Sequence, residues 1–179
     1  MKQLAGYNVQ LKSVEFEDLE LLRGWRNDPQ VSQFMLSQEL ISKEQQTAWF
    51  NKIQRDPAQQ HWLIYYKQQP IGSANIKAIY QGQTLRNATT IEPGLYIGDK
   101  RYRGNLLAFA PTLLINDYCF EQLKVKQLHA VVKQSNQAAL NYNLKLGYKI
   151  QKQAELVEIT LTERDYQQAS QTLKRFLSR

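Results

Sequence analysis

An α+β sandwich around a mixed β-sheet, with helices on both faces, is the fold class this sequence predicts. Three observations predict it. Stretches in which apolar and polar residues alternate are interleaved with stretches carrying apolar residues three and four apart, the periods of strand and helix. Read in order, they give strand, two helices, three strands, helix, strand, helix, two strands and a closing helix, a pattern that needs a sheet covered by helices. No linker, repeat or low-complexity tract divides the 179 residues, so 1–179 is one domain with enough chain for a real core.

Each element has its own signal. Tyr7-Asn8-Val9-Gln10-Leu11-Lys12-Ser13-Val14 alternates as a half-buried strand does. Phe16, Leu19, Leu22 and Trp25 form one helical stripe, which must end near Asn27-Asp28-Pro29 because the residue before a proline avoids helical geometry. Ser42-Lys43-Glu44-Gln45 has capping-box form and opens a second helix reaching about Arg55. His61 to Tyr66 and Ile71 to Tyr80 are strands separated by the turn-like Gln68-Gln69-Pro70, and the polar tract Gln81 to Thr89 leads to a strand from Thr90 to Gly98. A long helix follows from about Gly104 to Leu123, buried along Leu106, Phe109, Ala110, Leu113 and Leu114, with Pro111 expected to kink it or disturb its first turns. Gln127 to Val132 is a short strand. Ser135 to Leu146 is a helix stopped by Gly147, Tyr148 to Gln153 and Leu156 to Leu161 are two last strands, and Thr162 caps a terminal helix ending at Leu177.

Composition excludes several function classes. Hydrophobic content of 42% with 11% aromatics belongs to a globular chain and not to a disordered one. The one cysteine, Cys119, sits among apolar residues of the long helix and reads as a buried, inert thiol. Met1 is followed by no apolar run of signal or membrane-span length, which predicts a cytoplasmic protein with no membrane partner. On that reading the sequon Asn87-Ala88-Thr89 is an accident. No cluster of His, Cys or carboxylates has ligand spacing, so no metal is expected, and His61 and His129 read as structural. The 23 basic and 16 acidic residues leave a net charge of +7. The basic residues are scattered, without the continuous run or motif of a nucleic-acid binder; a positive field that concentrates polyanionic small substrates explains the charge as well.

The most informative stretch is Glu92-Pro93-Gly94-Leu95-Tyr96-Ile97-Gly98-Asp99-Lys100-Arg101-Tyr102-Arg103-Gly104-Asn105-Leu106-Leu107. An apolar strand runs into a basic, Gly-containing turn that opens into the long helix, aiming free backbone N–H groups and two Arg side chains at one point. That is a site for a phosphorylated ligand. Neither G-x-x-x-x-G-K-[ST] nor G-x-G-x-x-G is present, so the common nucleotide loops fail on spacing. Arg101-x-x-Gly104 instead resembles the acetyl-CoA signature R/Q-x-x-G-x-G/A of the GNAT superfamily of N-acyltransferases, departing from it at Leu106. A second element, Asn136-Gln137-Ala138-Ala139-Leu140-Asn141-Tyr142-Asn143-Leu144-Lys145-Leu146-Gly147-Tyr148, resembles N-x-x-A-x-x-x-Y-x-K-L-G-F/Y of the same superfamily, at a distance from Gly104 that fits one helix, one strand and a loop. The resemblance covers essentially the whole chain. In the N-terminal half, Trp25-Arg26-Asn27, Val31 to Met35 and the Ile41-Ser42 to Trp49-Phe50 segment resemble bacterial nucleotide-sugar amine acetyltransferases, such as those of pseudaminic and related sugar pathways. Ile91-Glu92-Pro93-Gly94 is similar to the E-x-G strand of ribosomal-protein N-terminal and polyamine acetyltransferases, which supply the rival acceptors.

The resemblance implies an acetyl-CoA-dependent enzyme in which the N–H groups of Arg103, Gly104, Asn105, Leu106 and Leu107 hold the CoA pyrophosphate, with Arg101 beside them. It also implies that the backbone of Leu95, Tyr96 and Ile97 pairs with pantetheine like an added strand, and that Asn136 fixes the same arm unless it is only a helix cap. Where such enzymes carry a Tyr that protonates the leaving thiolate, this chain has Asn143, whose amide can only donate a hydrogen bond. Tyr142 lies one residue earlier, about 100° round the helix, and reads as packing sooner than catalysis. A relayed water is then the proton source. Glu92 is the candidate base, with substrate binding as its other role. Arg26, Asn27, Met35 and Tyr80 fall in segments that form the acceptor side, where an Arg for a diphosphate and an aromatic for a sugar or base would suit a nucleotide-linked amino sugar. Trp25 and Trp49 sit on buried stripes and read as core. Beside the enzyme stand two other classes, a degenerate acyl-CoA sensor and a nucleic-acid binder. The small-molecule enzyme is the reading adopted, acting alone or as a homodimer.

Overall fold

The computed structural model describes residues 3–178. One sheet of eight strands organises them: β1 (Leu4–Gly6), β2 (Val9–Ser13), β3 (Gln59–Tyr66), β4 (Gln69–Ala78), β5 (Thr90–Ile97), β6 (Gln127–Lys133), β7 (Lys149–Lys152) and β8 (Leu156–Thr162). They lie in the order β1-β2-β3-β4-β5-β6-β8-β7, antiparallel throughout except where β5 meets β6 in parallel. The helices are α1 (Leu19–Asn27), α2 (Pro29–Ser32), α3 (Lys43–Ile53), α4 (Phe109–Asp117), α5 (Gln137–Lys145) and α6 (Glu163–Leu177). Among the described residues none is long and apolar enough to cross a membrane.

Alternation along β3 assigns the two faces. Trp62 and Ile64 join Ile76, Ile91, Leu113 and Tyr166 in the main core, so α4 and α6 cover that side. Leu63 points the other way and packs with Val14, Leu19 and Leu22 in a smaller cluster, with Trp25 of α1 and Trp49 of α3 against it. The caps predicted from sequence are present. The Ser42 hydroxyl accepts from the Gln45 N–H at 3.1 Å while Gln45 accepts from the Ser42 N–H at 2.8 Å. Thr162 accepts from the Asp165 N–H at 3.2 Å, and Gly147 takes the left-handed conformation (φ +96°) that ends α5.

Several expectations need correction. Tyr7 and Asn8 do not continue a strand: both have positive φ (52° and 63°) and form the tight turn between β1 and β2, whose pairing sets Leu4 opposite Leu11. Leu4-Ala5-Gly6 is too short to display a period, and the turn lacks the glycine that usually marks one. The next hairpin likewise turns at Lys67-Gln68 (φ 45° and 62°), one residue earlier than expected. The long helix is not uniform. A 3-10 turn over Leu106–Ala108 precedes α4, Pro111 is the third residue of α4 where its missing N–H breaks little, and a π turn over Tyr118–Gln122 follows. Cys119 is buried, and burial pushes its thiol pKa up, as an inert thiol requires.

One carboxylate joins three elements. Asp117, at the end of α4, accepts from the Tyr7 hydroxyl of the first hairpin, from the Tyr166 hydroxyl at 2.7 Å and from the Lys174 ammonium at 2.7 Å, both on α6. Burial, reinforced by Asp117, holds the Tyr7 and Tyr166 hydroxyls protonated. Asp117→Ala would leave an ammonium and two hydroxyls without their acceptor. Breaking a largely desolvated pair costs about 3 kcal/mol, so urea unfolding of the variant should show a loss of that order, against about 1 kcal/mol for Tyr7→Phe.

Candidate active site

The site begins where the sheet opens. β5 and β6 pair only at Thr90↔Gln127 and Ile91↔Leu128, then part. The phase of β5 is fixed at both ends: the Thr89 carbonyl accepts from the Lys126 N–H at 2.9 Å, toward β6, and the Gly98 N–H donates to the Ile71 carbonyl at 2.9 Å, toward β4. Backbone polar groups alternate along a regular ladder, so those of 91, 93, 95 and 97 face β6 and those of 92, 94 and 96 face β4. Pro93 is therefore the next residue that would have donated to β6, and it has no N–H. Beyond it the Leu95 N–H and carbonyl and the Ile97 N–H face an open seam. Tyr96, expected to join them, has its backbone on the β4 side opposite Ser73. Two cavities flank the seam, both lined by Pro93, Leu95, Ile97 and Val131: about 900 Å³ on the α1 and α3 side and about 650 Å³ on the α4 and α5 side.

The turn after β5 is held by protein contacts. Gly98 is obligatory, since a Cβ there would lie 2.1 Å from the Trp25 ring. The two Arg side chains are not aimed at one point, which corrects the sequence expectation. Arg101 pairs with Asp99 at 2.6 Å. The Arg103 guanidinium donates to the Ile97 carbonyl at 3.1 Å, to Gln30 at 2.7 Å and to Asp28 at 2.9 Å, clamping the turn to the α1–α2 corner. These hydrogen bonds hold the Asp99 and Asp28 carboxyls below their usual pKa range, so each Arg has an ionised partner. What remains free is backbone. The N–H groups of Arg103, Gly104, Asn105 and Leu106 meet no acceptor among the described residues, whereas the Leu107 N–H is taken by Asn105 at 2.7 Å. Gly104 has φ +74° and open space where its Cβ would be, so the left-handed conformation requires glycine here, not a crowding neighbour.

On α5 the expected side chains are engaged locally. Asn136 caps the helix, accepting from the Ala139 N–H at 3.1 Å, and also lines the larger cavity. Asn143 lines the smaller one and donates to the Ala139 carbonyl at 2.9 Å. The Tyr142 hydroxyl donates to the Ala108 carbonyl at 2.9 Å and contacts Thr112, and its ring stacks on Phe109 at 4.3 Å. Burial pushes its pKa up, so it makes a poor acid and a good strut.

The larger cavity is floored by one face of β3, β4 and β5. Glu92 lies there, 2.8 Å from the Lys77 ammonium and 3.6 Å from His129 Nδ1. Arg26 and Met35 line the same cavity. Burial raises the Tyr96 pKa to about 12, opposed by nearby Arg26 and by a hydrogen bond with Ser73. Asn27 and Tyr80 are elsewhere. Both polar atoms of the Asn27 amide bind the Ile41 backbone, accepting at 2.8 Å and donating at 2.9 Å, which ties down the loop before α3; Tyr80 is exposed beyond the end of β4. Sequence reasoning missed Asn75 and undervalued His61, because cross-strand register brings them together: His61 pairs with Asn75, which pairs with Gly94. It also missed Asn116, fully buried beside the smaller cavity with both amide atoms unpaired, although a lone Asn in an apolar helix was a legible signal. Among the described residues no group of three or more His, Cys, Asp or Glu is arranged to hold a metal.

Comparisons with known proteins identify the family and the fold. The acetyltransferase (GNAT) domain family matches residues 8–149. Acetyltransferase PseH of Campylobacter jejuni is 30% identical over 126 residues, covering 69% of this chain and 72% of that protein. Among solved structures, apo FdhC, a nucleotide-linked sugar GNAT, superposes with a TM-score of 0.78 at 18% identity, covering 98% of each chain. The spermidine N-acetyltransferase of Vibrio cholerae in complex with CoA and spermine gives 0.77 at 16% identity, covering 90% of this chain and 99% of the other.

Burial drives the His61 pKa down to about 4. The folded protein should therefore keep this imidazole neutral from pH 8 to about pH 5, while the unfolded chain takes up the proton near pH 6.5. Its contribution to stability is fully present above pH 6.5 and is lost as the pH falls toward 4. NMR titration should find one His, assigned to position 61, whose ring signals do not move between pH 8 and 5.5; a midpoint near 6.5 would contradict the burial seen here.

Proposed function

We propose that this chain, which belongs to the GNAT acetyltransferase family, acetylates the primary amine of a nucleotide-linked amino sugar. Acetyl-CoA-dependent N-acetyl transfer is the activity of the family, and the acceptor is the proposal. The observation that carries the reading is the open seam: an edge of β5 with free N–H and carbonyl groups, continuous with four free N–H groups at the Gly104 turn. An extended amide-containing arm suits the first and a pyrophosphate the second.

Acetyl-CoA brings an already activated thioester, so the chain has only to orient, accept a proton and stabilise charge. The Leu95 and Ile97 backbone would hold the pantetheine arm, with one N–H placed for the oxyanion. Arg103, Gly104, Asn105 and Leu106 N–H groups would hold the pyrophosphate. Arg101 and Arg103 would act behind them, by shaping the turn. Glu92, in the larger cavity, would take the amine proton directly or through water, its charge balanced meanwhile by Lys77. Tyr142 is committed to Ala108 and Thr112, and Asn143 has no acidic proton, so water returns a proton to the thiolate.

Three facts favour a nucleotide-linked sugar as acceptor. The chain is 30% identical over 126 residues to acetyltransferase PseH, and its own N-terminal segments that resemble nucleotide-sugar amine acetyltransferases contribute Arg26, Met35, Ile41 and Trp49 to the larger cavity. That cavity, about 900 Å³, has room for more than a simple amine, and Arg26 supplies a cation for a diphosphate. The chain's net charge of +7 favours anions over polyamines. CoA release followed with a thiol reagent should show a nucleotide-linked amino sugar exceeding the free amino sugar in kcat/KM by at least a hundredfold, because remote binding energy also orients the amine. Added salt should narrow that gap. Turnover of peptides or polyamines alone would overturn the acceptor class and leave the acetyltransferase standing.

A further inference from the structure

His61 has a fixed hydrogen-bonding sense. Asp56 sits at the start of a relay: its carboxylate accepts the Ala58 N–H at 2.9 Å and the amide N–H of Gln59. The Ala58 N–H, followed by Gln59, holds the Asp56 carboxyl below its usual pKa range, so it is ionised and can only accept. Gln59 must therefore give its NH₂ to Asp56 and turn its oxygen to His61, which it meets at 2.8 Å from Nε2. An oxygen there requires the proton on Nε2. Nδ1 is left with a lone pair and no protein donor among the described residues, on a ring that lines the larger cavity. Trp49 stands edge-on to the imidazole at 5.1 Å and fixes its plane. The neighbouring Asn75 carboxamide lies against Gly94, where a Cβ would stand 2.8 Å from its oxygen, so the floor beside His61 is polar and closely fitted.

We infer that His61 is a specificity-determining residue of the acceptor site, a neutral acceptor whose Nδ1 takes a hydrogen bond from a hydroxyl or N–H beside the amine to be acetylated. This rests on the larger cavity being the acceptor side. The Asp56–Gln59 relay keeps Nδ1 unprotonated, so the site rewards a donor and rejects an analogue that lacks one. Sequence reasoning assigned His61 no such role, because neither the relay nor the cavity is visible along a strand.

The test separates Nδ1 from Nε2. Asn places its side-chain oxygen where Nδ1 stands, and Gln places it near Nε2. With the amine that wild-type protein turns over best in the CoA-release assay, His61→Leu and His61→Gln should each raise the acceptor KM at least tenfold. His61→Asn should stay within threefold of wild type, and the KM for acetyl-CoA should not move in any of them. In ¹⁵N-imidazole spectra Gln59→Leu should mix the tautomers of His61, with an intermediate acceptor KM. Equal losses in the Asn and Gln variants, or an unchanged acceptor KM in His61→Leu, would overturn the assignment. If the amine turned over is a peptide or polyamine, the substrate-class reading fails while the same variants still decide the role of His61.

Discussion

The parting of β5 from β6 after Ile91 is the constraint on which the rest of this molecule depends. Two neighbouring strands in a sheet normally consume each other's polar backbone groups, and leaving a strand edge unpaired is unfavourable unless something else meets it. Pro93 makes the parting local and obligatory. It removes the donor that would have continued the parallel ladder, while β4 holds the other edge of β5 from Ile91 to Ile97. The strand is thus rigid on one side and open on the other. Both cavities, the floor carrying Glu92, Asn75 and His61, and the free edge at Leu95 and Ile97 follow from that single departure from pairing.

The charge of the chain acts differently from what its basic turn suggests. Arg101 and Arg103 are bound to Asp99 and Asp28, and Arg103 also grips two backbone carbonyls and Gln30. Their work is to hold the turn in a shape that exposes consecutive N–H groups. A cradle of backbone dipoles is preorganised, whereas long basic side chains must be ordered when a ligand arrives. The net positive charge that remains would supply a diffuse field favourable to anions. Asp117 plays the corresponding part on the far side, fastening the first hairpin and α6 to α4, the helix that follows the turn.

Much of this was legible in the sequence, and the failures share a cause. The helices with capping signals, at Ser42 and Thr162, and the glycine stop at 147 came out as local chemistry dictates. Glu92, Arg26, Met35, Gly104 and the Leu95–Ile97 strand do meet around one seam. What failed was anything decided by a distant partner. Tyr7 and Asn8 bend because β1 pairs with β2 and Asp117 holds the tyrosine. Asn27 is spent on the Ile41 backbone, a contact between separate segments of the chain. Tyr96 was misjudged by one residue of strand phase, which only the ends of the ladder reveal. His61 and Asn75 became visible only through register across three strands.

On the proposed function, the open edge of β5 and the Gly104 turn together receive acetyl-CoA. Amide hydrogen exchange, resolved by residue, addresses it without reference to any acceptor. In the free protein the Leu95 and Ile97 amides should exchange faster than those of Glu92 and Tyr96, which face β4. Saturating acetyl-CoA should slow Leu95, Ile97, Gly104, Asn105 and Leu106 by at least tenfold and leave Glu92 and Tyr96 unchanged. Protection confined to other parts of the chain, with these five amides unaffected by the cofactor, would contradict the account.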